Sequence, residues 1–235
     1  MSLTASQLIA IVNNNQSLQD LKNYYAKFTG RMFDLLDGGG DRADLKNVYT
    51  CCDLVAVECL SVRVPSNAAI ELLNPKGLGG QVSALLEKIP TNIDLGTSAA
   101  SGHIQHGSKS NPGCSAEELW YLLYSLDKIG PVIAGKLVAR KRPQLIPVLD
   151  SVTMCAYNFA DPDCAWTEID ELLKQQVGST TLLDTLSAVR AQAAQSTPEI
   201  GQVSLLRVLD VILWMRHWGN GKQHQLSGCP GPNLP

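Results

Sequence analysis

Apolar residues recur at helical spacing along most of the chain. Residues 3–12, 18–28 and 182–194 carry them every three or four positions, which is the repeat of an amphipathic helix. The strict alternation that marks half-buried strands is scarce. The segment VSLLRVLDVILWMRHW is apolar on most sides, which predicts a buried central helix. The pattern as a whole predicts an all-α protein.

Local signals place several helix starts and one long loop. Thr50 is a suitable N-cap, with Asp53 near the positive end of the helix that follows. Ser115 and Glu118 have the spacing of a capping box and predict that a helix opens at Ser115. Residues 96–113 are rich in Gly, Ser, Asn and His. We expect them to form a surface loop, and at that length a functional or mobile one.

Composition bounds the class of protein. The chain has 235 residues, 45% of them hydrophobic and 17% charged, so it can bury a sizeable core as one domain or as two small interlocked lobes. We treat residues 1–235 as a single globular helical unit with an irregular tail at 219–235. The sequence has no basic leader and no apolar run long enough for a bilayer, which predicts a cytoplasmic protein without a membrane partner.

The cysteines and histidines do not indicate a metal site. Seven cysteines occur without a C-x-x-C pair, so we expect reduced, mostly buried thiols rather than a metal or cluster site. His103 and His106 lie three residues apart but have no further ligands nearby in the sequence. The sequence therefore predicts neither a metal nor another cofactor.

The stretch SLDKIGPVIAG predicts two helices joined by a tight turn. The first helix is expected to end at Asp127, and Pro131 suits the first position of the second. The amides of Val132 and Ile133, which begin the second helix, and the amide of Gly130 would then point outward without partners. Such a helix start favours phosphate. Replacement of Gly130 by a larger residue is expected to impair the site, because a phosphate would approach closely and the turn favours a glycine-only backbone.

Charge is concentrated on the second of these helices. Five cations and no carboxylate occur from position 128 to position 142, namely Lys128, Lys136, Arg140, Lys141 and Arg142. The whole chain carries a net charge of −3, so the remainder carries −8. One basic patch on an acidic protein suits local docking on a phosphate backbone. The alternative is an ordinary helical hairpin with a solvated basic face.

An acid follows the hairpin. The chain becomes extended and apolar through LIPVL, reaches Asp150, and continues into the helical run SVTMCAYNF. Asp is a favoured N-cap, so Asp150 is expected at the start of that helix, where the dipole favours a carboxylate. Two interpretations stay open at this point: Asp150 only caps the helix, or it also acts on a ligand.

The hairpin and the acid together resemble the helix-hairpin-helix DNA glycosylase superfamily. Its members carry a hairpin of the form L-P-G-V-G-x-x-T-A and then an extended V-D-T-H segment with the catalytic Asp. Here the hairpin reads LDKIGPVIA and the later segment PVLDSV. Matching Gly130 and Ala134 brings Asp150 onto the family's Asp. The resemblance covers 45 residues, Ser115 to Phe159, within a helix-hairpin-helix and catalytic segment that we assign to 115–160.

Three departures refine what the resemblance implies. The lysine of bifunctional members falls at Val132, which cannot form an imine. The family's His after the Asp is Val152, and the cysteine run of cluster-bearing members is absent. The resemblance therefore implies a helix-hairpin-helix glycosylase fold and a monofunctional enzyme without cofactor, acting as a monomer on double-stranded DNA.

By the same resemblance, a nucleotide would be flipped into a pocket between two helical lobes. Asp150 would offset the positive charge that develops on the sugar and orient the water. The expected DNA contacts are Lys128, Gly130, Val132, Ile133, Lys136 and Arg140. The aromatic residues that could stack on a base, or equally belong to the core, are Tyr49, Trp120, Tyr121 and Tyr157.

The resemblance leaves the substrate and two rival functions open. The excised base would be a damaged one, or an enzymatically modified one such as occurs in phage DNA. One rival function is a non-catalytic DNA-binding module that uses the same hairpin. The other is a structural or interaction protein whose hairpin only packs.

Overall fold

The prediction of an all-α protein is confirmed. A computed structural model of the chain describes residues 3–159 and 164–219, and this part of the chain contains helices and turns but no strand. The α-helices are α1 Ala5–Val12, α2 Asn15–Lys27, α3 Met32–Leu35, α4 Cys51–Glu58, α5 Ser66–Leu72, α6 Leu78–Leu86, α7 Ser115–Tyr124, α8 Pro131–Lys141, α9 Ser151–Tyr157, α10 Ala165–Lys174, α11 Leu182–Ala194 and α12 Leu205–Gly219.

The chain divides into two compact units. The terminal unit combines Met1–Phe28 with Val148–Pro235, and the central unit is Thr29–Pro147. In the terminal unit α12 packs against α2, α9 and α11, whereas in the central unit α8 packs against α4 and α7. The hairpin therefore belongs to the central unit and Asp150 to the terminal unit.

The predicted buried central helix is α12. Six of its apolar side chains are almost fully buried, namely Leu206, Val208, Leu209, Val211, Ile212 and Leu213. Two charged side chains are buried with them, because Arg207 pairs with Asp210 one turn later and also donates to the Tyr24 hydroxyl at 2.6 Å. Pairing of this kind is what allows charged groups inside an apolar core.

Helices begin close to both predicted starts, but the predicted cap forms at Thr50 and not at Ser115. The Thr50 side chain accepts from the amide of Asp53, so Thr50 is the N-cap as predicted, and the Asp53 carboxylate also accepts from the amide of Thr50. The predicted capping box at Ser115 is wrong. Cys114 is the N-cap of α7, no side chain caps this end, and Ser115 lies in the first turn.

The cysteines are more exposed than expected. Cys51 is exposed, and four others are half-buried, namely Cys52, Cys59, Cys114 and Cys164.

The predicted tail is only partly testable. Helix α12 continues through Gly219, and residues 220–235 lie outside the described residues. Within the described ranges, no helix combines the length and apolarity that crossing a bilayer requires.

Candidate nucleic-acid interface

The hairpin turn forms at the predicted place with a shorter first helix. Helix α7 ends at Tyr124 rather than at Asp127, and a short turn carries the chain to α8. Ile129 is buried in this turn, and its amide donates to the Leu126 carbonyl at 3.1 Å. Lys128 takes the left-handed backbone conformation, with φ at 61°. The Ile129 side chain of the turn is therefore buried in the protein, while Lys128 is exposed.

The start of α8 has the predicted open amides. Pro131 occupies the first turn, and Gly130, the N-cap, provides no side chain to cap it. The first helical bond runs from the amide of Ala134 to the Gly130 carbonyl at 3.0 Å. The amides of Val132 and Ile133 precede that bond and have no partner within the helix. They form the part of the hairpin best suited to a phosphate oxygen.

Gly130 does not need a glycine-only backbone. Its φ and ψ are −82° and 171°, which any residue adopts, so this part of the expectation is wrong. A Cβ placed on Gly130 would meet no heavy atom within 4 Å. Any intolerance of bulk at Gly130 must therefore come from a ligand rather than from the fold.

The predicted basic patch is wrong. Lys136 is only 2% exposed, and its ammonium donates to the Leu60 carbonyl at 3.0 Å. Arg140 is also 2% exposed, and its guanidinium donates to the carbonyls of Phe33 and Leu36. Both side chains are therefore engaged inside the central unit and cannot contact DNA there. Of the five cations on this segment, Lys128 is the exposed one.

A buried ionic cluster replaces the patch. The Asp53 carboxylate accepts from Arg140 Nε at 2.9 Å and from Lys141 Nζ at 2.6 Å. Lys141 Nζ also donates to the carbonyls of Gly40 and Leu45. Burial lowers the pKa of Lys141, and the bond to Asp53 opposes this shift. One carboxylate thus compensates two buried cations and ties α4 and the preceding loop to the end of α8.

Arg142 extends this network without a carboxylate partner. Its guanidinium donates to the carbonyls of Lys46, Leu86 and Ile89 and to the Asn47 side chain. Burial lowers the pKa of Arg142 to about 10. Cations at a helix C-terminus are well placed to reach carbonyl groups. The run Arg-Lys-Arg at the end of α8 is structural for that reason.

Asp150 caps α9 as predicted. Its Oδ1 accepts from the amides of Val152 at 3.0 Å and Thr153 at 3.1 Å, and the Thr153 hydroxyl accepts from the Asp150 amide at 2.9 Å. The side chain is half-buried. The carboxylate is thus held in one orientation at the positive end of a helix. Capping accounts for these contacts, and a chemical role is a separate proposal.

The aromatic candidates separate by burial. Tyr49 and Tyr157 lie in the core, where burial raises the pKa of both phenols. Trp120 and Tyr121 are half-buried on α7, and Tyr124, which we did not single out from the sequence, is 42% exposed. The signal for Tyr124 was available, since it lies one helical turn after Trp120. Of these aromatic residues, the accessible ones are therefore on the first helix of the hairpin.

The glycine-rich loop before α7 is tethered. The buried carboxylate of Glu117 accepts from the amides of Gly107 at 2.9 Å and Gly113 at 2.6 Å, and His106 Nδ1 lies 2.8 Å from it. These bonds hold the loop on the first turn of α7. The described residues bring together no group of three or more side chains that suits a metal ion.

The terminal unit contains a groove of about 620 Å³. It adjoins the end of α9 opposite to Asp150 and is bordered by α10. Its lining residues are Leu3, Phe159, Thr167, Glu168, Glu171, Leu172, Lys174 and Gln175. With two carboxylates against one ammonium, this lining does not favour a phosphate backbone.

Comparison with known proteins identifies a family for the chain but assigns no activity to it. The model of a family of unknown function, DUF6308, matches residues 17–217. The match includes α7, α8 and Asp150. Neither the curated proteins nor the solved structures contained a match to the chain.

Proposed function

The chain belongs to DUF6308, a family of unknown function, and we propose that it is a monofunctional DNA glycosylase of the helix-hairpin-helix type. The enzyme would hydrolyse the N-glycosidic bond of a damaged or enzymatically modified base, such as a modified base of phage DNA, in double-stranded DNA. The observation that carries the proposal is the combination of a helical hairpin with open amides and a fixed carboxylate at Asp150, in the motif order of that superfamily.

The hairpin supports the DNA-binding half of the proposal. Its tip presents the amides of Val132 and Ile133, and the exposed ammonium of Lys128 lies in the same turn. Amides and the positive end of a helix dipole bind a phosphate without reading sequence. With Lys136 and Arg140 buried, these few groups would make the contact. We therefore expect binding with a modest salt dependence.

Asp150 supports the catalytic half. Breaking the bond between the base and the first carbon of deoxyribose builds positive charge on the sugar. A fixed carboxylate beside that carbon would stabilise the charge and orient water. Water's hydroxyl then joins the carbon, and its remaining proton leaves with the base. The bonds from Val152 and Thr153 would keep the carboxylate oriented without reorganisation during the reaction.

The test is base release from modified DNA. Duplexes that carry single damaged bases, together with phage genomes that carry modified bases, are incubated with the protein and scored for abasic sites. We expect abasic sites in at least one substrate class and none in unmodified DNA. Binding to duplex DNA without abasic sites in any substrate would favour the non-catalytic alternative, for which the observation is that Asp150 is the N-cap of α9.

Replacing Gly130 with alanine is expected to weaken DNA binding without loss of stability. A Cβ at this position is free of contacts in the protein but would lie at the proposed phosphate site. A hydrogen bond to a charged group contributes about 1.5–3 kcal/mol, so we expect the affinity to fall by about ten- to a hundredfold. The matched control is Gly102→Ala, where a Cβ also meets nothing within 4 Å. Equal affinities for the two variants would remove Gly130 from the interface.

The product is expected to be an abasic site in an unbroken strand. Val132 occupies the position where bifunctional relatives carry the lysine that forms an imine. Strand cleavage should therefore appear only after alkali or an added abasic-site nuclease, and borohydride should trap no covalent complex. Efficient trapping that disappears in Lys128→Ala would show that another lysine forms an imine and that the enzyme is bifunctional.

A further inference from the structure

We propose that the aromatic cluster on α7, formed by Trp120, Tyr121 and Tyr124, binds one unpaired nucleobase of the DNA. The inference rests on the DNA binding proposed above and adds a second element to it. The hairpin tip would hold a phosphate, and the cluster would hold a base displaced from the duplex.

The three rings form one contiguous surface. The centroid of the Trp120 ring lies 5.2 Å from that of Tyr124 at an interplanar angle of 36°, and 5.0 Å from that of Tyr121 at 73°. Both arrangements fall within the usual range for aromatic pairs. The rings therefore support one another and need little ordering when a ligand binds.

The hairpin itself fixes the indole in place. Trp120 Nε1 donates to the Pro131 carbonyl at 3.2 Å, across to the first turn of α8. Gly135, one turn later, lies beside the indole, and a Cβ there would be in ordinary van der Waals contact with Nε1 at 3.8 Å. The polar edge of the indole is thus satisfied within the protein, which leaves the ring itself for apolar contact.

The cluster is accessible in a way that the other aromatic candidates are not. Tyr124 is 42% exposed, and Trp120 and Tyr121 are half-buried, whereas Tyr49 and Tyr157 belong to the core. A base has two apolar faces and an aromatic π-system, so it gains by covering such a surface. Stacking of a base on an aromatic side chain contributes about 1–3 kcal/mol and is tolerant of sequence.

The position next to the hairpin tip favours a nucleotide as the occupant. The bond from Trp120 ends on Pro131, the residue directly before the amides of Val132 and Ile133. Phosphate and base are joined in a nucleotide, and here an amide-rich helix start and an aromatic surface adjoin within one unit. The nearby carboxylate of Asp127 is exposed and lies 4.0 Å from Lys128 Nζ, a surface pair that weakly offsets the cation.

The test compares two duplexes that differ only in one base. Both carry a single unpaired position, which holds thymine in one and a tetrahydrofuran abasic analogue in the other. Tyr124→Ala is expected to bind the thymine duplex about tenfold more weakly than the wild type, the loss that one stacked base implies, and to bind the abasic duplex unchanged. Tyr124→Phe should retain wild-type affinity for both. Ile70→Ala, which truncates a side chain 67% exposed on α5, is the control.

The outcomes separate this inference from the proposed function. Equal losses on the two duplexes, or no loss on either, would overturn the assignment of a base to this cluster while DNA binding stands. A wild-type protein that binds neither duplex would overturn the proposed function as well. A Tyr124→Ala variant that changes only the sedimentation of the protein would assign the surface to contact between copies and overturn the inference.

Discussion

Replacing Asp150 with asparagine is expected to abolish base excision while leaving the fold intact. Asn is as good an N-cap as Asp, so α9 should keep its start and the thermal midpoint should change little. The amide carries no charge and cannot offset the positive charge on the sugar. Loss of one preorganised electrostatic group costs about 10²–10³-fold in rate, and loss of the water-orienting role adds to this. The measurement is single-turnover excision alongside DNA affinity.

A second variant separates capping from chemistry. Asp150→Ser also preserves a good N-cap and also lacks the carboxylate, so it should match the Asn variant in both stability and inactivity. If either variant turned over near the wild-type rate, Asp150 would be a cap alone and the mechanism proposed here would be wrong.

Replacing Asp53 with asparagine is expected to be the most destabilising of the changes considered. The carboxylate is 2% exposed and is bonded to both Arg140 and Lys141. The variant leaves two buried cations without their anion, and breaking a buried pair in this way costs about 3–5 kcal/mol. Whole domains are stable by about 5–15 kcal/mol. The free energy of unfolding, measured by urea denaturation, should fall by a large fraction.

The chain offers a matched control for this variant. Asp184 occupies the same position in the capping box that opens α11, where its carboxylate accepts from the Thr181 amide at 2.9 Å, but it is exposed. Asp184→Asn removes the same kind of capping carboxylate but leaves no buried cation without its anion. The free energy of unfolding should therefore fall by about 1 kcal/mol or less. Similar losses at Asp53 and Asp184 would show that the ionic cluster adds nothing beyond capping.

Periodicity and capping chemistry predicted much of the fold. Helix α11 has the predicted bounds, α12 is the predicted buried helix, and Thr50, Pro131 and Asp150 stand at the helix starts assigned to them. These features depend on residues within a few positions of one another. Local spacing is sufficient to specify them, which explains why they could be predicted from sequence.

The failures concern groups whose partners are distant in sequence. Arg140 meets Asp53 across 87 positions, and Lys136 meets the Leu60 carbonyl across 76. A run of cations without nearby carboxylates predicts a surface that faces solvent or DNA. In the structure the buried cations instead donate hydrogen bonds to carbonyl groups that are distant in sequence. The missing capping box at Ser115 is the local exception, because Ser115 is the first residue of α7 and Cys114 is the N-cap.

The most direct test of the central claim is the identification of the released base. Modified phage DNA and damaged duplexes are incubated with the wild-type protein and with Asp150→Asn, and the small molecules set free are measured by mass spectrometry. We predict that the wild type releases a free modified base, with one abasic site formed for each base, and that the variant releases none. Stable binding of these DNAs without release of any base, or equal release by both proteins, would contradict the proposal that the chain is a glycosylase acting through Asp150.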